Sequence, residues 1–250
     1  MSVRNRMPRI GTRKLYYLLK EDFLRDGIVI GRDRLFDILR DEGLLVVRKK
    51  KHSRTTDSSH WMRKYPNLIK GLKLRRPEQV WVADITYLTL NDRYCYLHLI
   101  TDAYSKRIMG YCISETLMAA QTLKALQMAL KYRQYGGSLI HHSDRGLQYC
   151  SSGYITTLKD NAVRISMTQD GSPYDNAIAE RVNGILKDEF GLDETFGNQQ
   201  QLQLQVVQSI EIYNNNRPHQ SNQMLTPYEM HQQNKLKPKE WHKKHHKKPL

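Results

Sequence analysis

Three consecutive segments rich in β-branched and aromatic residues constrain the fold of this chain more than any other feature. They read QVWVADITYLTL, RYCYLHLITDAY and KRIMGYCIS, and they lie within residues 79–114. The pairs Asn91-Asp92 and Ser105-Lys106 separate the segments and have the chemistry of turns. The sequence therefore predicts an antiparallel meander of three strands.

Helical and extended segments alternate after this meander. Residues 117–135 have the pattern of a helix that ends at Gly136-Gly137, and SLIHHSD has the pattern of a short strand. A helix at 151–161, a strand at 164–168 and a helix at about 176–190 are expected next. The order βββαβαβα predicts an α/β fold with a mixed sheet surrounded by helices, which is also the order of the ribonuclease-H-like fold.

Two short amphipathic helices are expected near the N-terminus. Apolar residues recur at helical spacing in residues 11–27 and again in GRDRLFDILRDEGLL, and a tight GIVI turn joins the two segments. Arg32 and Arg34 begin the second helix. This pattern is typical of a helix-turn-helix module whose second helix enters a major groove, although a helical hairpin without DNA binding is the alternative.

The net charge of +15 is divided unevenly along the chain. Residues 1–76 contain 21 lysines and arginines against 8 acids, a net charge of +13, while residues 77–234 carry −4 and residues 235–250 carry +6. Basic flanks around an acidic middle are typical of a protein that binds a polyanion with its ends. Solvated basic faces are the alternative explanation, and a membrane surface ranks lower because no basic helix with an aromatic face accompanies these charges.

Composition excludes several other classes of protein. Hydrophobic residues make up 39% of the 250 residues, and the mean hydropathy is −0.68. The sequence contains neither an apolar run long enough to span a membrane nor a secretory signal. We therefore expect a cytoplasmic protein with no membrane partner. Three cysteines without a Cys-x-x-Cys pair encode neither a disulfide framework nor a cysteine-rich zinc site.

These patterns predict five regions along the chain. Residues 199–215 have the pattern of a further helix, and Thr226-Pro227-Tyr228-Glu229 forms a capping box that begins another. The last residues are basic and have little to bury, so we expect a mobile tail. The regions are a helix-turn-helix-like module at 1–47, a basic linker at 48–78, a catalytic core at 79–192, a helical C-terminal extension at 193–234 and a basic tail at 235–250.

Three acidic residues have unusual positions in the predicted elements. Asp84 lies in the middle of a strand, where a carboxylate is costly unless a cation or several donors compensate it. Asp144 lies at the end of a strand, and Glu180 lies on a helix with Asn183 and Lys187 on the same face. The alternatives are a hydrogen-bonded structural aspartate, an Asx-turn aspartate and a solvated glutamate, respectively.

Spacing alone does not select the catalytic pair. Asp144 and Glu180 are separated by 36 positions, as are Asp175 and Glu211, and Asp193 and Glu229. Only the first pair combines a strand-end aspartate, a helical glutamate and a preceding aspartate in mid-strand. Three such carboxylates repel one another unless divalent cations neutralise them, and Mg²⁺ or Mn²⁺ prefers oxygen ligands. Two ions about 3.5–4 Å apart promote phosphoryl transfer.

The motifs around these residues resemble those of a known family. They are WVADITY around Asp84, HHSDRGLQYCS around Asp144, GSPYDNAIAERVNGILKDEF around Glu180 and the C-terminal YNNNRPHQSNQMLTPYEM. Over residues 10–232 the chain is similar to the DDE transposases of bacterial insertion sequences, in particular the downstream-frame product of the insertion-sequence-three group. The resemblance implies a retroviral-integrase-like core of the ribonuclease-H-like fold and metal-dependent strand cleavage and transfer at the transposon ends.

The resemblance also implies partners and further contacts. It implies assembly of a homo-oligomer on the transposon ends and the target DNA, and an upstream-frame helix-turn-helix protein that is absent from this chain. A hydrolytic nuclease and a catalytically silent DNA-binding regulator are the alternatives. Candidate DNA contacts are Lys187, Asn183, Arg145 and Gln148 beside the carboxylates and Arg32 and Arg34 in the N-terminal module, whereas His141 and His142 are expected to be strand residues and not metal ligands.

Overall fold

One mixed sheet forms the centre of this computed structural model, which describes residues 2–47, 61–169 and 176–239. Parts of the predicted linker (48–60), of the motif around Glu180 (170–175) and of the basic tail (240–250) lie outside the described residues. The strands in the described residues are β1 (Val80–Leu90), β2 (Arg93–Asp102), β3 (Ile108–Ser114), β4 (Leu139–Ser143), β5 (Val163–Met167) and β6 (Thr195–Phe196). They lie in the order β3-β2-β1-β4-β5, and β6 pairs with the last residues of β1.

The predicted meander is confirmed. β1, β2 and β3 pair in antiparallel fashion, and the two turns place Asn91 and Lys106 in the left-handed region with φ values of 50° and 66°. β4 and β5 continue the sheet on the other side of β1 with parallel pairing. The two-residue strand β6 was not predicted, because so short a segment has no periodicity of its own.

The helices also follow the predicted order. The second and third match the expected N-terminal pair, and the predicted capping box is confirmed by reciprocal hydrogen bonds between Thr226 and Glu229. The first and fifth helices were not expected. The helices in the described residues are α1 (Ser2–Arg6), α2 (Thr12–Arg25), α3 (Arg32–Asp41), α4 (Ala119–Lys131), α5 (Leu147–Cys150), α6 (Ser152–Asp160), α7 (Ala177–Phe190), α8 (Gln199–Asn215) and α9 (Pro227–His231).

The two faces of the sheet carry different helices. On one face, Leu88 and Leu90 of β1 share a core with α7, α8 and the N-terminal helices. On the other face, Trp81 and Ala83 share a core with α4 and α6. Side chains of a strand alternate between its faces, so Asp84 lies on the α7 side with Leu88. In the described part of the chain, no helix has the length and apolar character needed to cross a membrane.

A buried ion cluster joins the N-terminal helices to α7. The Lys14 ammonium of α2 donates to Glu189 of α7 at 2.6 Å, and Arg217 donates to both oxygens of Glu189 at 2.7 and 2.8 Å. Although burial opposes ionisation of Glu189, Arg217 and Lys14 lower its pKa. Burial lowers the pKa of Lys14 to about 8, so Arg217 is the stronger partner.

Parts of the predicted linker and tail pack against the core. Leu68 and Leu74 contact an apolar cluster beneath β1 and β4, and the Leu68 amide donates to Ser166 Oγ at 2.8 Å. In the tail, the Lys239 amide donates to the Ser221 carbonyl at 2.7 Å, and the Leu236 carbonyl accepts from the Tyr104 hydroxyl. Residues of the segment 235–239 therefore have specific partners in the core, which a reading of composition does not reveal.

We expect Glu189→Gln to lower the free energy of unfolding by about 3–5 kcal/mol, because it leaves two buried cations without a counter-charge. Urea unfolding measures this change. The control is Asp22→Asn, which breaks the exposed 3.0 Å pair with Arg25 and should cost less than about 0.5 kcal/mol. Similar small losses in both variants would contradict a stabilising role for the buried cluster.

Candidate active site

The pairing of β1 with β4 brings two aspartates together. The strands run parallel with Val82 opposite His142, and each aspartate follows its paired residue by two positions. Asp84 and Asp144 therefore lie at the same level on neighbouring strands, where β4 ends and the chain turns away from the sheet. This is the edge at which α/β sheets commonly bind ligands.

Helix α7 lies over these aspartates and adds a third acid. Glu180 is exposed in the first turn of α7, whereas Asn183, one turn later, is buried. The Asn183 side-chain amide donates to Asp84 Oδ2 at 2.7 Å. Lys187 lies on the same helix face, close to Asp84. The charge of Asp84 raises the pKa of Lys187, but burial lowers it more, so this pKa is below its usual value. The predicted face of Glu180, Asn183 and Lys187 thus meets β1.

Negative charge accumulates at this site. Burial, the neighbouring Asp144 and, more weakly, Glu180 together raise the pKa of Asp84 to about 7. Hydrogen bonds from the Ile85 amide and from Asn183 act in the opposite direction. The Asp84 side chain is half-buried, so water stabilises the charge of its carboxylate less than at an open surface.

A tight turn fixes the orientation of Asp144. The Gly146 amide donates to Asp144 Oδ1 at 2.9 Å, which is the Asx turn considered as an alternative. A Cβ at position 146 would lie 3.0 Å from the same oxygen, so only glycine fits this turn comfortably. The turn therefore holds the Asp144 carboxylate beside Asp84, at the end of the strand paired with β1.

The donor set suits a hard divalent cation. The three acids offer carboxylate oxygens, and a bound cation would offset the burial and the neighbouring negative charge that raise the pKa of Asp84. Among the described residues, however, no three His, Cys, Asp or Glu side chains form a group close enough to hold one ion. The two aspartates offer oxygen ligands on neighbouring strands, whereas Glu180 is exposed in the first turn of α7.

The adjacent histidines do not belong to this donor set. His141 Nε2 lies 2.8 Å from the Tyr154 hydroxyl, and His142 Nδ1 lies 2.8 Å from Ser166 Oγ. Both rings are buried in β4, and burial lowers the pKa of His141 to about 3. This agrees with the expectation that they are strand residues.

Of the two other acidic pairs with a spacing of 36, the pair Asp193 and Glu229 makes structural contacts. Asp193 forms a 2.9 Å ion pair with Arg9, and Glu229 belongs to the capping box of α9. Glu211 is exposed on α8, and Asp175 lies outside the described residues. These contacts separate Asp144 and Glu180 from a pair with the same spacing, which the spacing alone could not do.

The remaining candidate DNA contacts lie in two regions. Arg145 is half-buried after Asp144, and the Gln148 amide donates to the Leu117 carbonyl at 2.9 Å. Arg32 pairs with Asp33 at 2.7 Å on α3, where Arg34 is exposed. Sequence analysis missed the bond of Asn183 to Asp84, although the three-residue spacing from Glu180 was a signal that it shares the site.

Family and sequence comparisons identify relatives of this chain. Integrase core domain models match residues 75–173 and 161–227. A 31 kDa protein of insertion element IS600 from Shigella sonnei is 38% identical over 211 residues, covering 84% of this chain and 76% of that protein. The transposase InsF of IS3A from Escherichia coli K12 is 34% identical over 198 residues, covering 78% of this chain and 69% of that protein.

Solved structures confirm the fold. A simian T-cell lymphotropic virus intasome in complex with PP2A regulatory subunit B56 gamma has a TM-score of 0.55 at 17% identity, covering 94% of this chain and 79% of the matched chain. The HTLV-2 integrase catalytic core in complex with magnesium has a TM-score of 0.50 at 16% identity, covering 62% of this chain and 97% of the matched chain. The predicted ribonuclease-H-like α/β fold is therefore correct.

The transposase of insertion sequence IS629 from Shigella sonnei extends the same relationship, with 32% identity over 83% of this chain and 68% of its own length. Sequence similarity therefore spans the sheet that carries Asp84 and Asp144 and continues through the C-terminal helices. The chain belongs to the DDE transposases of the IS3 group, enzymes that carry out the transposition of bacterial insertion sequences.

Proposed function

We propose that Asp84, Asp144 and Glu180 are the catalytic carboxylates of this transposase. The observation that carries the proposal is the parallel pairing of β1 with β4, which places Asp84 beside Asp144 under α7. A DDE-type integrase core implies dependence on a divalent metal. We infer that the metal is Mg²⁺, for which Mn²⁺ substitutes, and that each site holds two ions.

The proposed reaction has two phosphoryl transfers at each transposon end. Water first attacks a phosphodiester, and the broken bond leaves a free 3′-hydroxyl. That hydroxyl then attacks another phosphodiester, so that one ester forms as another breaks and no external energy source is needed. When bound, divalent ions supply the Lewis acidity that activates the nucleophile and stabilises the leaving oxygen.

Two residues of α7 support this chemistry. Asn183 is buried and donates to Asp84, so we assign it the role of holding that carboxylate in position rather than contacting DNA. Lys187 is half-buried beside Asp84, where an ammonium is suited to grip a phosphate next to the reacting bond. This contact between Lys187 and the phosphate would retain the cleaved 3′-end for the second step.

We assign further DNA contacts to two groups of residues, one beside Asp144 and one on α3. Arg145 and Gln148 would hold a phosphate or a flipped base near Asp144. Arg32 and Arg34 on α3 would read the transposon ends within the helix-turn-helix-like module. The protein would act on double-stranded DNA as a homo-oligomer, at the nucleoid, with the upstream-frame protein as an additional partner.

Asp84→Asn, Asp144→Asn and Glu180→Gln should each reduce Mg²⁺-dependent cleavage of transposon-end DNA by about 10³-fold or more, because each removes a charged ligand. Binding of the same DNA should change little. Gel-based cleavage and equilibrium binding measure the two effects. Glu211→Gln, an exposed glutamate on α8, is the control and should keep its activity. Retained cleavage in any of the three variants would remove that residue from the catalytic set.

Asn183→Ala should lower kcat by about 10- to 100-fold, the usual cost of losing a group that orients a ligand. The lost amide stabilised the ionised carboxylate, so the pKa of Asp84 should rise and the acid limb of the pH–rate profile should move to higher pH. Asn161→Ala, on an exposed asparagine after α6, is the control. A lower rate with an unmoved pH profile would assign Asn183 a purely structural role.

Lys187→Ala should depress joining of a pre-cleaved end about 5- to 150-fold more than it depresses hydrolysis, the range of a charge-assisted contact. The comparison uses one assay for each reaction with the same duplex. Lys159→Ala, on an exposed lysine of α6, is the control. Equal loss of both reactions would contradict a specific grip, and wild-type protein that hydrolyses but never joins would favour the nuclease.

A further inference from the structure

A large cleft lies on the other side of α7 from the carboxylates. It has a volume of about 1530 Å³ and separates the N-terminal helices from α7 and the turn after α8. Arg181 lines it, although it directly follows Glu180. Consecutive helical residues point about 100° apart, so a single helix presents different side chains to the site and to the cleft.

Uncompensated positive charge lines this cleft. Arg13, Lys73, Arg181 and Lys239 come from four separate segments and are all exposed. In the described residues no acid lies within ion-pair distance of any of the four. Three acids line the same cleft, and two of them have described ion pairs: Glu189 is paired with Lys14 and Arg217, and Asp33 with Arg32.

A buried histidine adds an unsatisfied polar atom to the wall. His219 lines the cleft and is only 8% exposed. Its Nδ1 atom lies 2.9 Å from Ser221 Oγ, whereas its Nε2 atom has no hydrogen-bond partner. Burial and the nearby Arg217 and Lys106 lower the pKa of His219 well below its usual value, so the ring is neutral. A neutral imidazole with a protonated Nε2 can donate to an anionic oxygen.

The first turn of α7 makes the same wall favourable for anions. Ala177 and Ile178 line the cleft, and the first backbone amides of a helix have no acceptors within it. The helix dipole also favours negative charge at this end. The exposed Arg181, a buried donor and a helix N-terminus therefore all favour phosphate at the α7 wall.

We propose that this cleft binds one sugar-phosphate strand of duplex DNA, away from the phosphodiester that reacts. The inference rests on the proposed function for the identity of the DNA. The phosphate-binding chemistry of the cleft does not depend on the catalytic assignment. A single small anion would leave most of the cleft empty, because pockets for drug-sized ligands have about 300–1,000 Å³. Cations spread over four segments match a row of phosphates along one backbone.

The test measures binding of a fluorescent 30-base-pair duplex, without metal, at a series of NaCl concentrations. It uses protein that carries Asp84→Asn, so that cleavage does not interfere. Adding Arg13→Ala or Arg181→Ala should weaken binding about 5- to 10-fold at low salt. Each should also reduce the slope of log affinity against log salt by about 1, because one phosphate contact is lost.

The matched control is Arg164→Ala, which removes the same charge from an exposed arginine of β5 outside the cleft. It should change the affinity less than about 2-fold. Cleft variants that bind like the control would overturn the proposal. A parallel calorimetric titration with inorganic phosphate separates the sources of phosphate: variants that lose phosphate binding but keep duplex binding would identify a small-anion site and also overturn it.

The proposal for the cleft and the proposed function can fail independently of each other in these experiments. If Asp84→Asn alone kept full cleavage activity, the catalytic assignment would fail, while the binding comparison of Arg13, Arg181 and Arg164 variants would still decide the role of the cleft. Conversely, normal duplex binding by both cleft variants would leave the carboxylate assignment unaffected. Circular dichroism of each variant excludes loss of the fold, since both cleft arginines are exposed and carry no structural ion pair within the described residues.

Discussion

The parallel pairing between β1 and β4 is the constraint on which the rest of the site depends. Backbone hydrogen bonds fix Val82 opposite His142, and the aspartates two residues further along each strand must then be neighbours. A register shift by one residue would turn one carboxylate to the opposite face of the sheet. The buried residues of both strands prevent such a shift, so apolar packing maintains the position of two groups that repel each other.

Helix α7 connects the chemistry to the remainder of the molecule. Its Asn183 face meets Asp84, its apolar face packs on β1 and β2, and its last turn carries Glu189 into the buried ion cluster. Through that cluster the helix is attached to Lys14 of the N-terminal module and to Arg217 of the C-terminal extension. The three predicted regions are therefore mechanically joined at the helix that carries the third acid.

Charge is organised differently on the two sides of this helix. Near β1 the carboxylates lie close together, and burial and mutual repulsion hold the Asp84 pKa at about 7. In the cleft beyond Arg181, cations outnumber acids, and His219 stays neutral among them. Helical periodicity places both environments within one turn of α7. Such an arrangement suits a polyanionic substrate whose reacting bond requires metal ligands and whose flanking phosphates require cations.

The sequence by itself determined the elements whose signals are local. Alternating β-branched residues, helical periodicity and the Thr226-Glu229 capping box each act over a few neighbouring positions, so the meander and the main helices were predictable. Sequence also nominated Asp84, Asp144 and Glu180, through the context of each residue in its predicted element, because the spacing of 36 alone occurs three times. Only the tertiary structure joined Asn183 to Asp84 and Glu189 to Arg217, because those contacts depend on how distant segments pack and leave no periodic trace in the chain.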